Sequence, residues 1–230
     1  MDPKSQIAEL GPLPRNALRH DVVVRLMASI FQGTLPADTR LIIRKMAEQM
    51  GVSATPIREA LVELESLGIV QFSHHRGAVV KPFGRQELRD IYHVRRILDA
   101  EAARCACGRI PHEELQTLRD EMCQLLGAVG GESPEWSRKA MATDQRFHEL
   151  ITTYCNNPRL SDEVKRYNSL MQTMREIVGN RRRAQQRALE EHMPIVDAIL
   201  AGDADEAAAA MARHVDGAME SVETVMFQPK

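Results

Sequence analysis

The stretch Met46–Val70, MAEQMGVSATPIREALVELESLGIV, decides how the rest of this 230-residue chain is read. Its first residues finish a short helix predicted over Ile43–Met50, which Gly51 stops. Gly51-Val52-Ser53 then forms a tight turn, with Val52 placed to fill the angle between two helices. A new helix begins after Ser53. Ser53 can cap free N–H groups of the first turn, and Pro56 is tolerated there because those groups lack intrahelical partners. Ile57, Leu61, Leu64 and Leu67 make a core stripe at 3–4 spacing, and Gly68 ends it.

Working outward, Leu18, Val22, Leu26 and Ile30 predict a first helix over Arg15–Gln32, closed by Gly33. Downstream, Ile69–Phe72 and Ala78–Lys81 read as two short strands around the polar turn Ser73-His74-His75-Arg76-Gly77. Helix, helix, tight turn, helix and a two-stranded ribbon is the plan of a winged helix-turn-helix. In that plan the N-terminal end of the third helix enters the major groove. Arg58 then suits a guanine edge, and Thr55 or Ser53 suits a phosphate. Arg76 and Gly77, at the ribbon tip, reach toward the adjacent minor groove or backbone. One such head covers a short half-site, so a homodimer on a palindromic double-stranded operator is expected.

Beyond Gly84 every segment reads as helix. Breaks at Arg109–Pro111, Gly130–Pro134, Asn156–Pro158, Gly179–Arg183 and Ala201–Asp203 leave six helical segments, an antiparallel bundle. The fold expected is mainly α: an N-terminal winged helix-turn-helix with a small two-stranded wing, then an α-helical bundle. The boundaries expected are a loose tail over 1–14, a DNA-binding domain over 15–82, a linker over 83–85 and a bundle over 86–228.

Three of the eight histidines share core-facing stripes in the bundle. In TDQRFHELITTYC, Asp144, Phe147, His148 and Ile151 fall on one helical face. In ALEEHMPIVDAIL, His192 shares a stripe with Leu189, Val196 and Ile199. In AAAAMARHVDGAM, His214 shares one with Ala207, Met211 and Ala218. An ionised Asp in an apolar interior is costly unless paired or metal-bound. Three imidazoles and one carboxylate suit a divalent transition metal, Zn first, with Ni, Mn or Fe as alternatives, rather than Ca or Mg. In DIYHVRRILDAEAAR, Arg95 interrupts the apolar stripe Leu88, Ile91, Leu98, Ala102 and Cys105. It is either anchored by Asp99, one turn on, or is a clamp for the carboxylate of a small organic acid effector. Asn168 and Arg175 flank a further stripe as pocket candidates. Arg181-Arg182-Arg183 reads as a solvated loop.

The composition fits. Thirty basic residues oppose 32 acidic ones, which excludes a uniformly basic nucleic-acid coat. Residues 1–84 nevertheless carry 10 basic against 8 acidic side chains, and the remainder 20 against 24. One Trp, three Tyr and five Phe are too few for base-stacking platforms. No apolar run approaches the ~20 residues that span a bilayer, and the N-terminus lacks a signal-peptide stretch, so no membrane partner and a cytoplasmic location are expected. The four cysteines read as small buried hydrophobes; Cys105 and Cys107 point roughly 200° apart on a helix, which suits neither a shared metal nor a local disulfide.

The stretch Met46–Val70 and the ribbon HHRGAVV resemble the DNA-binding domain of the GntR superfamily of bacterial transcription regulators. The resemblance implies DNA contacts by Arg44, Ser53, Thr55, Arg58 and Gly77. Ile42-Ile43 stands where that family often places a Ser or Thr cap. The pieces VRRILDAEAA, DQRFHELI, CNNPRL and EHMPIVDAI, with the late His214, resemble the effector-binding FCD domain of the FadR subfamily, in its six-helix, VanR-like form. That resemblance implies metal ligation by Asp144, His148, His192 and His214 and an effector contact by Arg95. Asp99 stands where the family commonly has Glu, and Pro194 lies inside the helix bearing His192. The function expected is a transcription regulator, in the repressor sense, switched by a small carboxylate at a metal site. The alternatives are a metal-responsive regulator and a metal-dependent hydrolase or lyase. The last is disfavoured because no HExxH pattern and no nucleophile with a neighbouring base are present.

Overall fold

The computed structural model describes residues 15–73, 77–128, 133–178 and 181–227; the side chains of 15–17, 173, 175–178 and 181–182 lie outside the description. The expected tail 1–14 and Arg76 also lie outside it. The chain divides into two compact units, Met1–Phe83 and Gly84–Lys230.

In the first unit α1 spans Arg15–Phe31, α2 Ile43–Met50 and α3 Ala54–Ser66. Val22, Leu26, Met27, Ile57, Leu61, Leu64 and Ile69 are buried together as the apolar core, whereas Leu18 is half-exposed near the free end of α1. Gly51 takes φ +68 and donates its N–H to the Ala47 carbonyl, so the turn after α2 needs the left-handed conformation that glycine adopts without strain. Ser53 is extended before α3 but makes no side-chain cap bond, contrary to expectation. Three residues on, the third helical residue is Pro56, which has no N–H for the Ser53 hydroxyl to accept, so only one of the two usual donors, the Thr55 N–H, remains, and Ser53 does not engage it. Ile42 likewise makes no cap for α2.

The wing has one strand more than its sequence announces. Strand β2 (Val70–Ser73) pairs antiparallel with β3 (Gly77–Val80), with Phe72 opposite Ala78. On the other side of β3 lies a two-residue strand β1, Arg40–Leu41, with Leu41 opposite Ala78. Two residues are too short for an alternation pattern to announce. By pairing there β1 covers an edge of β3 that would otherwise stand open, and it buries Leu41.

The second unit is all helix: α4 Arg85–Ala106, α5 His112–Gly127, α6 Pro134–Tyr154, α7 Pro158–Val178, α8 Arg181–Leu200 and α9 Ala204–Met226. Ser133 accepts the Trp136 N–H at 3.1 Å and Asp203 the Glu206 N–H at 2.9 Å, which fixes the starts of α6 and α9. α4 and α9 form the most extensive helix pair. Their ion pairs run in opposite directions along the chain: Arg89 with Glu223, Arg96 with Asp216 and Arg104 with Asp205. The two helices are therefore antiparallel. α8 packs on α9, α5 and α6, and so lies at the middle of the bundle.

The bundle departs from the sequence expectation at three points. Arg181–Arg183 open α8 and are not an inter-helix loop; Arg is a good helix former. Only Cys155 among the four cysteines is buried, while Cys123 is exposed on α5 and Cys105 and Cys107 are intermediate. The buried face of α4 is Leu88, Tyr92, Arg95, Asp99, Ala102, Ala103 and Ala106, so Asp99 points inward with Arg95, and Ile91, Leu98 and Cys105 lie at its margin. Pro194 sits inside α8, which continues unbroken through it.

Candidate metal centre and nucleic-acid interface

On the first unit, Arg44, Ser53, Thr55, Arg58 and Gly77 are all exposed. Arg44 comes from α2 and Arg58 from α3, and both line one concavity of about 540 Å³ with Ile43, Ala47, Glu48, Gly51, Val52 and Ala54. The Gly51 turn sets the angle between the two helices and thereby opens this concavity. Arg44 donates to Glu48 at 3.0 Å on the outer surface. The pair is exposed at both ends, so it holds Arg44 only weakly against a competing phosphate. Gly77, at φ +69, takes the left-handed conformation that glycine adopts without strain and leaves nothing within 4 Å of where a Cβ would stand.

The second unit places its histidines differently. His148 comes from α6, His192 from α8 and His214 from α9, and one ring nitrogen of each lies within 4.8 Å of the others. His192 Nε2 and His214 Nε2 are 3.3 Å apart. Asp144 Oδ1 lies 3.9 Å from His192 Nε2 and 4.0 Å from His148 Nε2. His148 Nε2 is buried and makes no hydrogen bond among the described residues. Phe147 stacks on His192 at 3.9 Å between ring centroids and backs the cluster with an apolar wall.

Burial is the first reason that the His148 imidazole titrates well below its ordinary value. The Asp144 carboxylate opposes this, and His192, His214 and Arg95 reinforce it. His148 therefore presents a lone pair at neutral pH. On His214, Nδ1 lies 2.9 Å from Glu191 Oε2, and because a carboxylate oxygen accepts, Nδ1 carries a proton and Nε2 is the nitrogen that a neutral ring would offer to an ion. Two imidazole nitrogens that face each other at 3.3 Å need an electrophile between them, a proton or a cation. For tetrahedral bonds of about 2.0–2.1 Å the donor–donor edge is about 3.3 Å, a spacing that the His192–His214 pair has, while Asp144 Oδ1 stands somewhat farther off, at 3.9 and 4.0 Å from its histidine neighbours.

Arg95 and Asp99 lie in the same bundle interior, at 0% and 1% exposure, ion-paired at 3.0 Å. Arg95 Nη2 also points to Asn168 Oδ1 on α7, at 3.4 Å. The Arg95 guanidinium lies 5.6 Å from the Tyr92 ring centroid. Arg95 is thus anchored by Asp99 and meets one of the two flanking pocket candidates. The side chain of the other, Arg175, lies outside the described residues. Glu191 was not legible as part of the site. It points away from its neighbour His192 along α8, and only the packing of α9 brings His214 to it.

Residues 18–80 match the family model for bacterial regulatory proteins of the gntR family, and residues 90–217, more than half of the chain, match the FCD domain. The chain belongs to the GntR family. Among its relatives is a protein of Paenarthrobacter nicotinovorans described as a probable D-xylose utilization operon transcriptional repressor. It is 29% identical over 88% of each chain. The transcriptional repressor RspR of Escherichia coli is 24% identical over 90% of this chain and 86% of its own. The solved structure of E. coli McbR/YncC superposes over 90% of this chain and 94% of its own, with TM-score 0.59 at 21% identity, which marks a shared fold. This GntR chain is thus a DNA-binding transcription regulator, and its relatives are regulators rather than enzymes. GntR regulators bind DNA operators and generally act as dimers. Among the described residues no helix is long and apolar enough to cross a membrane.

Proposed function

We propose that this regulator is a repressor whose operator affinity is set by a small carboxylate bound at a metal-loaded histidine cluster. The observation that carries the reading is the meeting of His148, His192 and His214 from three helices, beside Asp144, in an interior that also buries Arg95. Asp144, His148, His192 and His214 would hold the ion, with Zn best suited to the donor set and Ni, Mn or Fe as alternatives. A bound ion with open positions supplies a Lewis acid for carboxylate oxygens. Arg95 Nη1 has no hydrogen-bond partner among the described residues, so the guanidinium keeps a donor for such a ligand. Asn168 orients the fork from the other side. Arg175 joins the pocket on its sequence position alone. The ligand classes that fit are sugar acids, hydroxy acids and aromatic acids.

The reading head is assigned to residues 15–82, with Arg44, Ser53, Thr55, Arg58, Arg76 and Gly77 as its DNA contacts. Residues 83–85 link it to an effector-binding and dimerisation bundle over 86–228. Arg95 lies on α4, which begins one residue after the boundary between the units. A ligand that pulls on Arg95 biases α4 and, through the linker, the spacing of two heads on a palindromic operator. The repressors among the relatives support the repressor reading, and on that reading the ligand relieves repression. A DNA operator places this work in the bacterial cytoplasm.

A thermal-shift screen of small organic acids on Zn-loaded and on chelated protein tests the proposal, followed by operator binding with each hit. An acid that raises Tm only in the loaded protein and releases the operator is the expected result. If metal alone switches operator binding, with no acid required, the protein is instead a metal-responsive regulator.

A further inference from the structure

The buried cluster is joined to the bundle surface by side chains that the metal-ligand set does not include. His214 Nδ1 bonds Glu191 Oε2 at 2.9 Å. The other oxygen of Glu191 accepts from Arg187 Nε at 2.6 Å. Arg187 Nη1 in turn donates to Ser221 Oγ at 2.9 Å, one turn beyond Gly217 on α9. The Glu191 side chain is only 23% exposed. Gly217 explains how this chain lies flat against α9. A Cβ at position 217 would stand 2.8 Å from Glu191 Oε1 and 2.9 Å from Arg187 Nη2. A glycine in the middle of a helix is otherwise unfavourable, so its presence needs a reason of this kind.

We propose that Glu191 is a positioning residue of the metal centre, seated by Gly217 and held by Arg187, which fixes His214 as the Nδ1–H tautomer with Nε2 aimed at the ion. The inference rests on the reading of the histidine cluster as a metal site. The chemistry is that of an outer carboxylate on a ligating imidazole. It sets the tautomer and ring orientation, and it raises the basicity of the ligating nitrogen. Arg187 and Ser221 fix the carboxylate from the solvent side, so the imidazole loses little freedom when an ion binds. Gly217 has the role of leaving room. With alanine there, the flexible ends of Glu191 and Arg187 must move, which disturbs the carboxylate that holds His214.

The test uses the full-length chain, with Zn²⁺ and Co²⁺ as probes in competition titrations and long-range ¹H–¹⁵N spectra of the histidine rings in chelated protein. Wild type is expected to show His214 protonated at Nδ1. Glu191→Ala is expected to lose that preference and to bind Zn²⁺ about 10–100-fold more weakly. Glu191→Gln keeps only one acceptor oxygen and turns an amide donor toward either Arg187 or His214, so a partial loss of the tautomer preference and an intermediate loss of affinity are expected. Gly217→Ala should weaken Zn²⁺ binding while leaving the Tm of the chelated protein unchanged or raised, because alanine favours the helix. A merely structural role for Gly217 would not move affinity and stability in opposite directions. Should Glu191→Ala and Gly217→Ala bind Zn²⁺ as tightly as wild type, the brace is wrong while the metal site stands. If wild type binds neither ion, the metal site itself falls and the brace with it.

Discussion

The two units put their polar side chains in opposite places. In the first, the candidate DNA contacts Arg44, Ser53, Thr55 and Arg58 stand in solvent around an apolar core. In the second, Arg95, Asp99, His192 and His214 are buried. Among the described residues every buried polar or charged side chain lies beyond Gly84. A surface that reads a duplex gains from groups that stay hydrated until a partner arrives, on a scaffold that does not depend on them. A pocket that senses a small ion or acid must already have removed its polar groups from water, and it is stable only while they satisfy one another. The head should therefore tolerate loss of its functional side chains without losing its fold, and the bundle should not.

The largest expected effect breaks the comparison at its sharpest point. Arg95→Ala removes the cation beside Asp99 in a dry interior and should cost about 3–5 kcal/mol of stability, as breaking a buried pair does. Denaturant unfolding measures it. Arg58→Ala, exposed on α3, should change stability by no more than about 0.5 kcal/mol in the same assay. Comparable losses at the two positions would show that burial is not what separates them.

Next in size is the metal. With Zn²⁺ at about a hundredfold excess over its Kd, loading should stabilise the folded protein by about 2.7 kcal/mol. His148→Ala should abolish that gain, read as the difference in Tm between loaded and chelated samples. A full gain in the variant would remove His148 from the ligand set. On the head, the effect of Arg58→Ala belongs to DNA alone. Against an operator selected by wild type from random duplexes, discrimination over a scrambled duplex should fall by about 1–3 kcal/mol, the worth of one bidentate base contact. Unchanged discrimination would move recognition away from the start of α3.

These contrasts also explain what could be read from the chain alone. The helices were legible wherever a helical stripe met a glycine stop or a proline start, as at Gly51, Gly68 and Pro158. The histidine cluster was legible because His148, His192 and His214 each broke an apolar stripe, and a polar residue on a core face needs a partner. Strand β1 was not, since two residues carry no period. The missing Ser53 cap was only half open to reading: Pro56 removes one of the two N–H groups a cap can use, and capping preference and proline tolerance point to the same turn and mask the conflict. Glu191 was out of reach: its partner His214 lies on another helix 23 residues away. Gly217 was the one clue left in the sequence, an unfavourable residue in the middle of a good helix.

The smallest expected effect concerns protons, and it separates the units again. Burial lowers the His148 pKa in the folded, metal-free protein below its ordinary value of 6.5. The unfolded chain therefore takes up this proton first as pH falls. Stability contributed by the neutral imidazole is complete above pH 6.5 and is lost as pH drops from there through the folded-state pKa. Across that window the loss is at most about 1.36 kcal/mol for each pH step of about one. His148→Ala should flatten this part of the stability profile of chelated protein. Zn²⁺ should displace the loss to lower pH, because an ion on the imidazole lone pair competes with the proton. A wild-type profile that runs parallel to that of His148→Ala across this window would mean that the ring is hydrated in solution. The contrast between a wet reading face and a dry sensing interior would then fail at the residue where it is most exposed to test.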